Sequence, residues 1–596
     1  CDNRPVRVIA HGAAAPAALH ATALEPDRFG AVRLLDTPDS WQERLGKKAL
    51  DPQMDTVVYG AYAAYGWRDL ADLAGIDPRP NVLFAISDDQ SFPHTSFAGS
   101  KMVSTPAFDR VAREGVYFAN AYAGSPGCAP SRSAIVTGRH PWQNEQSGQH
   151  NSSWMKQHVP FVDLLEANGY AIGVTGKGVS PFRYAERPDH PLWRQGNAAG
   201  PRHSNIRYEP GMPGDERPAS GISTVHYFAN FRHFLNAARG NRPFFFWYGG
   251  VEAHRVFETD SWKRNGKRLE QAEVPAFLPD HPEIRGDLLD YAVELEWFDA
   301  HLGRMLAYLE ALGELDRTVV MVTADNGMAF PRAKANCYEY GIRVPFAVRW
   351  PKRFPGGRTV TDPVGFVDLA PTILDLARTP PEGMLPITGR SLLPLLESSK
   401  SGKLDPSREY ALSGRERHSA SRYQNRGYPQ RAIRSGDYLL IWNQRPERWP
   451  AGAPQRIEPG TEDTLLPLYG LDADGRHHSD WAFTDIDGCP TKAFLVENHL
   501  DPAIRPSFLA ATAKRPEWEL FDVRTDPDCL RNLADDPQHA ATRQRLQEPL
   551  KQALLQTQDP RVTGPDPDIF DSYPRYARIR EFPPPDHALN PAPPPH

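Results

Sequence analysis

The chain has 596 residues, 40% hydrophobic and 24% charged, which is the composition of a globular protein too long for one ordinary core. Two or three domains are therefore expected. The net charge of −6 is small for this length and gives no basis for nucleic acid or an anionic membrane as partner, and no apolar run is long enough to span a bilayer.

Residues 1–79 read as a separate piece. VRVIA (6–10) and AVRLL (31–35) have the look of short buried strands, with an alanine-rich helix over 12–24 between them, giving one βαβ unit. Such a unit has too little core to stand alone. It resembles a late segment of an α/β-hydrolase esterase. The turn after its first strand, HGAAA, lacks the serine of a nucleophile elbow, and Ser40 is the only serine before residue 80. A non-catalytic segment docked on the rest of the chain is expected.

GIDPRP (75–80) is a linker, and beyond it strands and helices alternate. NVLFAIS (81–87) is a continuous apolar run of the kind found in a central parallel strand. Helices are expected over 106–115, 131–137 and 160–168, and strands over 171–175 and 244–250. A long amphipathic helix over 286–313 precedes the strand TVVMVTA (318–324), and PFAVRW (345–350) with a helix over 368–377 completes this part. The alternation predicts a mainly parallel sheet covered by helices on both faces. From about 385 the pattern changes to polar loops around strand-like runs, DYLLIW (437–442) and WELFDV (518–523), then a polar helix over 537–556. A smaller C-terminal α+β domain with an antiparallel sheet is expected over 385–575, and a proline-rich tail over 576–596.

Five cysteines (Cys1, Cys128, Cys337, Cys489, Cys529) are odd in number and lack zinc-type spacing, which argues against a disulfide framework. The chain begins at Cys1 without methionine or signal sequence. A processed leader of bacterial lipoprotein type and a start inside a longer protein both stay open, with the first residues favouring the second.

Three short segments carry chemistry. In GCAPSRSAIVTGRH (127–140), Pro130 suits the first turn of a helix, placing Cys128 at its positive end, where an anionic nucleophile and an anionic substrate group are both favoured. Arg132 follows as a fixed cation. Asp88 and Asp89 stand at the end of the strand 81–87, and Asp325 and Asn326 directly after 318–324. Ligands of open α/β sheets bind at such carboxyl ends, and clustered oxygen donors suit a hard cation rather than zinc. Taken singly, each has an ordinary alternative: a structural cysteine, capping aspartates, an Asn-Gly turn.

The C-x-P-S-R run followed by an apolar helix and T-G-R, together with the two aspartate pairs in this order, resembles the type I, formylglycine-dependent sulfatases. The likeness covers about 81–375, and WELFDVRTDPDCLRNLADDP (518–537) resembles the family's C-terminal segment. The resemblance implies an alkaline-phosphatase-like α/β sandwich over 80–384. It also implies Cys128 oxidised to formylglycine (3-oxoalanine) by a formylglycine-generating or anaerobic maturase. Asp88, Asp89, Asp325, Asn326 and the modified Cys128 would then hold calcium, with magnesium as alternative. A formylglycine hydrate has one hydroxyl to attack sulfur and a second whose proton loss expels sulfate, an exit that serine or cysteine lacks.

By the same resemblance, Lys177 in T-G-K and Lys334 contact the sulfate, and His254 in GGVEAHR protonates the leaving group. Each also reads as a solvated lysine or a structural histidine. The family's second histidine, two residues after the lysine, is replaced here by Val179. Glu339 is expected to support the fold. GQHNSSW (148–154), ADNGMAFPRAKANCY and DPRVTGPDPDIFDSYP resemble sulfamidase-like members, so a sulfated carbohydrate is the expected substrate, with His150 near the sugar or simply a loop residue. A periplasmic or secreted setting goes with it. The alternatives are a phosphonate or phosphate ester hydrolase of the same superfamily and a carbohydrate-binding pseudoenzyme.

Overall fold

The computed structural model describes residues 7–11, 31–35 and 79–585, apart from 241. The helix expected over 12–24, Ser40, Cys1 and the end of the tail lie outside the described residues. Strands β1 (Arg7–His11) and β2 (Ala31–Leu35) pair in parallel, Arg7 opposite Ala31 and His11 opposite Leu35.

The principal sheet is built from β3 (Asn81–Ser87), β4 (Val116–Phe118), β6 (Ala171–Gly176), β7 (Phe244–Gly249), β8 (Thr318–Ala324), β10 (Phe346–Arg349) and β11 (Arg358–Val360). Their order is β11-β4-β10-β8-β3-β7-β6, and only β10 runs against the rest. Three two-residue strands, β5 (Ala121–Tyr122), β9 (Arg343–Val344) and β12 (Val364–Gly365), form a small separate sheet. The central strand β3 shows why the apolar runs are continuous. Its side chains alternate between faces, and both faces are covered. Val82, Phe84 and Ile86 enter one apolar layer with helices α2 (Cys128–Thr137), α3 (Phe161–Ala167) and α6 (Leu369–Leu376). Leu83 and Ala85 enter the opposite layer with α1 (Pro106–Glu114), α4 (Tyr227–His233) and α5 (Pro282–Ala311).

The second half carries an antiparallel sheet of β13 (Ala411–Arg415), β14 (Gln430–Ser435), β15 (Tyr438–Asn443) and β16 (Trp518–Asp522). One face, with Leu412, Ile433, Leu440 and Leu520, is covered by Leu546, Leu550 and Leu554 of helix α7 (Ala540–Gln556). The other, with Ala432, Leu439, Ile441 and Phe521, packs on Cys337, Tyr338 and Ile342 of the first half. Glu339 sits at this seam, bonded to Arg434 Nε at 2.8 Å and Arg343 at 3.3 Å. Among the described residues no helix is long and apolar enough to cross a membrane, and Cys128, Cys337, Cys489 and Cys529 are free thiols.

Candidate active site and metal centre

Parallel pairing brings the two aspartate pairs together. Ser87 at the end of β3 lies opposite Ala324 at the end of β8, so the residues after them leave the sheet side by side. The Asp89 N–H donates to Asp325 Oδ1 at 3.1 Å, and the Asp325 N–H to the Ser87 carbonyl at 3.1 Å. Asp89 adopts a left-handed φ of 55°, a conformation asparagine and aspartate tolerate best among non-glycine residues. One strand pair further along, Gly176 of β6 lies opposite Gly249 of β7, and their successors deliver Lys177 and His254 to the same edge. A Cβ on Gly249 would meet the Lys177 carbonyl at 1.8 Å, so only glycine allows this approach.

Helix α2 starts at Cys128 itself, with Gly127 as N-cap and Gly138 closing it in a left-handed conformation. Ser131 Oγ donates to the Asp325 carbonyl at 2.6 Å. Arg132, fully buried, donates through Nε to Asp325 Oδ2 at 2.7 Å and through one Nη to the Lys177 and Gly178 carbonyls at 2.8 and 3.1 Å. The guanidinium thus fastens helix α2 to the ends of β6 and β8. Lys177 Nζ pairs with Asp88 Oδ2. Lys334 Nζ pairs with Asp89 Oδ2 at 2.6 Å, and Asn326 Nδ2 donates to Asp89 Oδ1 at 2.8 Å.

Asp88, Asp325 and the Cys128 sulfur present ligand atoms all within 4.8 Å of one another, every one buried. Burial and the neighbouring Asp88 push the Asp325 carboxyl up, whereas the burial of Asp88 is outweighed by Lys177 together with His254 and Arg132, which draw it down. Asp88 Oδ1 and Asn326 Oδ1 have no protein partner although both are buried. Orphaned acceptors beside adjoining carboxylates are the arrangement a hard cation satisfies, so the residues present fit calcium or magnesium. The thiol differs from the helix-terminus expectation: burial, with Asp88 and Asp325 close by, pushes Cys128 up despite Lys177. An unmodified cysteine here is a protonated thiol and a poor nucleophile.

His254 is held by a 2.7 Å bond from Nδ1 to the Arg255 carbonyl, so that Nε2 is the ring nitrogen left for other chemistry. Val179 is fully buried in the apolar layer and presents no proton-bearing group. His150, half-buried, stands with its ring 5.1 Å from that of His418, and His418 lies against Gly127. The sequence reading did not include His418 or Asp487. Asp487 reaches Lys334 Nζ at 3.0 Å from the C-terminal half. Both lie in polar loops without periodicity, and no signal in the chain marks them.

The model of the sulfatase family matches residues 80–379, and that of the C-terminal part of N-sulphoglucosamine sulphohydrolase matches 332–449. Human N-sulphoglucosamine sulphohydrolase (Homo sapiens) is 26% identical over 530 residues, covering 82% of this chain and 92% of the relative. A protein solved in complex with its substrate D-glucosamine-2-N,6-O-disulfate aligns over 82% of this chain and 99% of its own, with a TM-score of 0.53 and 19% identity. A phosphonate monoester hydrolase of Agrobacterium radiobacter shares the fold at a TM-score of 0.54 and 16% identity, over 80% of this chain and 96% of its own. With half of its length matched by the family model, and with Asp88 and Asp325 within 4.8 Å of the Cys128 sulfur, this chain belongs to the sulfatase family of sulfuric ester hydrolases.

Proposed function

We propose that the protein hydrolyses sulfate esters or sulfamates of sulfated carbohydrates, with Cys128 oxidised to formylglycine by a maturing enzyme as the source of the nucleophile. Asp88, Asp89, Asp325 and Asn326, with position 128, would hold calcium or magnesium. The observation that carries this reading is the cluster of Asp88, Asp325 and Cys128 within 4.8 Å beside the unpartnered Asp88 Oδ1 and Asn326 Oδ1. The cation supplies charge to offset that on the sulfate oxygens, and the hydrated aldehyde supplies one hydroxyl for attack and another for release.

The chain's own residues do the rest. Arg132 fixes Asp325 and the first turn of α2, so the attacking position is preorganised before substrate arrives. Lys177 and Lys334, each already on a carboxylate of the metal set, direct positive charge at the site where sulfate oxygens bind. His254, oriented by the Arg255 carbonyl, offers Nε2 to protonate the departing atom. Residues 80–384 carry the chemistry, 385–575 shape the mouth, and 1–79 take no part.

One preparation, made in a host that converts the cysteine, tests this. Sulfate release should occur from N-sulfated or O-sulfated sugars, fall on addition of a chelator, and accompany an aldehyde in the Cys128 peptide by mass spectrometry. Faster cleavage of phenyl phosphonate monoester than of any sulfate, or an unconverted thiol with no sulfate release, would sink it.

A further inference from the structure

Every carboxylate at the floor of the pocket is committed. Asp88 is paired with Lys177, Asp89 with Lys334 and Asn326, and Asp325 with Arg132. Asp487 stands apart. Its side chain is 28% exposed where those of Asp88, Asp89 and Asp325 are at 0%, and Lys334 Nζ, at 3.0 Å from Oδ2, is its one hydrogen-bond donor among the described residues. The basic side chains that face it are Lys334, then His254 and His418, and burial pushes His418 down to about 4. The same Lys334 Nζ also holds Asp89, so Asp487 lies one ammonium group away from the carboxylates of the site. A negative group that close to a site made for sulfate repels the anion it should attract, unless the part of the substrate beside it is a donor or becomes positive.

We infer that Asp487 is the residue that selects N-sulfates over O-sulfates, by accepting a hydrogen bond from the sulfamate nitrogen. The inference rests on the sulfatase reading above. An ionised carboxylate only accepts, a sulfamate N–H donates, and the bridging oxygen of a sulfate ester has no hydrogen to offer. In the ester complex Asp487 therefore faces an oxygen lone pair, an unpaired and repulsive arrangement that counts against the wrong substrate. The advantage grows during reaction. As the S–N bond breaks, the sulfuryl group passes to the nucleophile at position 128. Nitrogen keeps the bonding pair and takes one proton from His254. The amine released then binds a second proton from water to become ammonium, for which Asp487 is the counter-ion. An alcohol leaving group ends neutral and gains nothing from it.

The test is the ratio of kcat/KM for glucosamine N-sulfate to that for glucosamine 6-O-sulfate, in wild type, Asp487→Asn and Asp487→Ser. The ratio is independent of the folded or converted fraction, and a purely structural role through Lys334 would lower both rates alike. A charge-assisted hydrogen bond predicts a fall in the ratio of at least about tenfold in both variants. A ratio unchanged within about twofold in either variant would overturn the inference, as would a wild type that releases only the 6-O-sulfate; both leave the sulfatase reading intact. A wild type that releases sulfate from neither sugar nor from an aryl sulfate strikes at that reading itself.

Discussion

Two fully buried aspartates, one in each half of the molecule, have opposite electrostatic surroundings. Asp485, in the C-terminal half, accepts from Arg415 at 2.6 Å and Arg422 at 2.5 Å, from the Ser419 N–H at 2.9 Å and from Ser421 Oγ at 2.7 Å. The arginines overcome its burial and hold its carboxyl far below the usual range. Asp325, at the end of β8, has one guanidinium and a neighbouring Asp88, and its carboxyl is pushed up. The first region spends its charges on holding loops together. The second keeps like charges close, a local destabilisation of the kind found where a ligand is to be bound.

That contrast can be broken by experiment. Asp485→Asn leaves two buried guanidinium groups short of a counter-charge and should destabilise the protein by about 3–5 kcal/mol in urea denaturation. A loss below about 1 kcal/mol would mean the arginines are satisfied otherwise. Asp325→Asn should cut sulfate release by about 10²-fold or more, yet destabilise the metal-free protein less than Asp485→Asn does, because the lost charge faces one guanidinium and a like-charged Asp88 rather than two guanidinium groups. Calcium should then raise the Tm of wild type far more than that of the variant, and equal shifts would remove Asp325 from the metal set.

The smallest effect sharpens the comparison with pH. His94, His140, His158 and His301 are buried and held down to about 3, and His418 to about 4, from an ordinary 6.5. Below 6.5 the unfolded chain binds protons that these rings refuse. Their contribution is thus complete above 6.5 and is lost as pH falls toward the folded values. His158, with neither ring nitrogen partnered by protein, is the cleanest probe. His158→Phe should flatten the decline between pH 6.5 and 4 by up to about 1.4 kcal/mol per pH unit. An unchanged slope would show that water or movement already relieves the buried ring.

Much of the floor of the site could be read directly from the chain, because a buried parallel strand is written as an unbroken apolar run and the next residues are what it delivers. NVLFAIS-Asp88-Asp89 and TVVMVTA-Asp325-Asn326 both obey that rule. Boundaries set by local chemistry were less visible. Helix α5 begins at Pro282, not at 286, with His281 as cap accepting from the Glu283 N–H, and α2 begins at Cys128, not at 131. The walls were not legible at all. Asp485 and Asp487 are brought in by contacts such as Arg415 to Asp485, 70 positions apart, and by Lys334 to Asp487, 153 apart, which no periodicity encodes. Nor does a motif say that Lys177 and Lys334 rest on Asp88 and Asp89.

Cys128 is only 1% exposed, at the start of α2 beside Asp88 and Asp325, which follow β3 and β8. A second protein cannot get its own catalytic groups around a side chain walled off in this way. On the proposed function, conversion of the thiol would have to precede closure of the sheet, while the segment from Gly127 to Thr137 is still extended. Chain that folds first is locked out. Supplying the maturing enzyme during synthesis should yield aldehyde, and supplying it to purified folded protein should not.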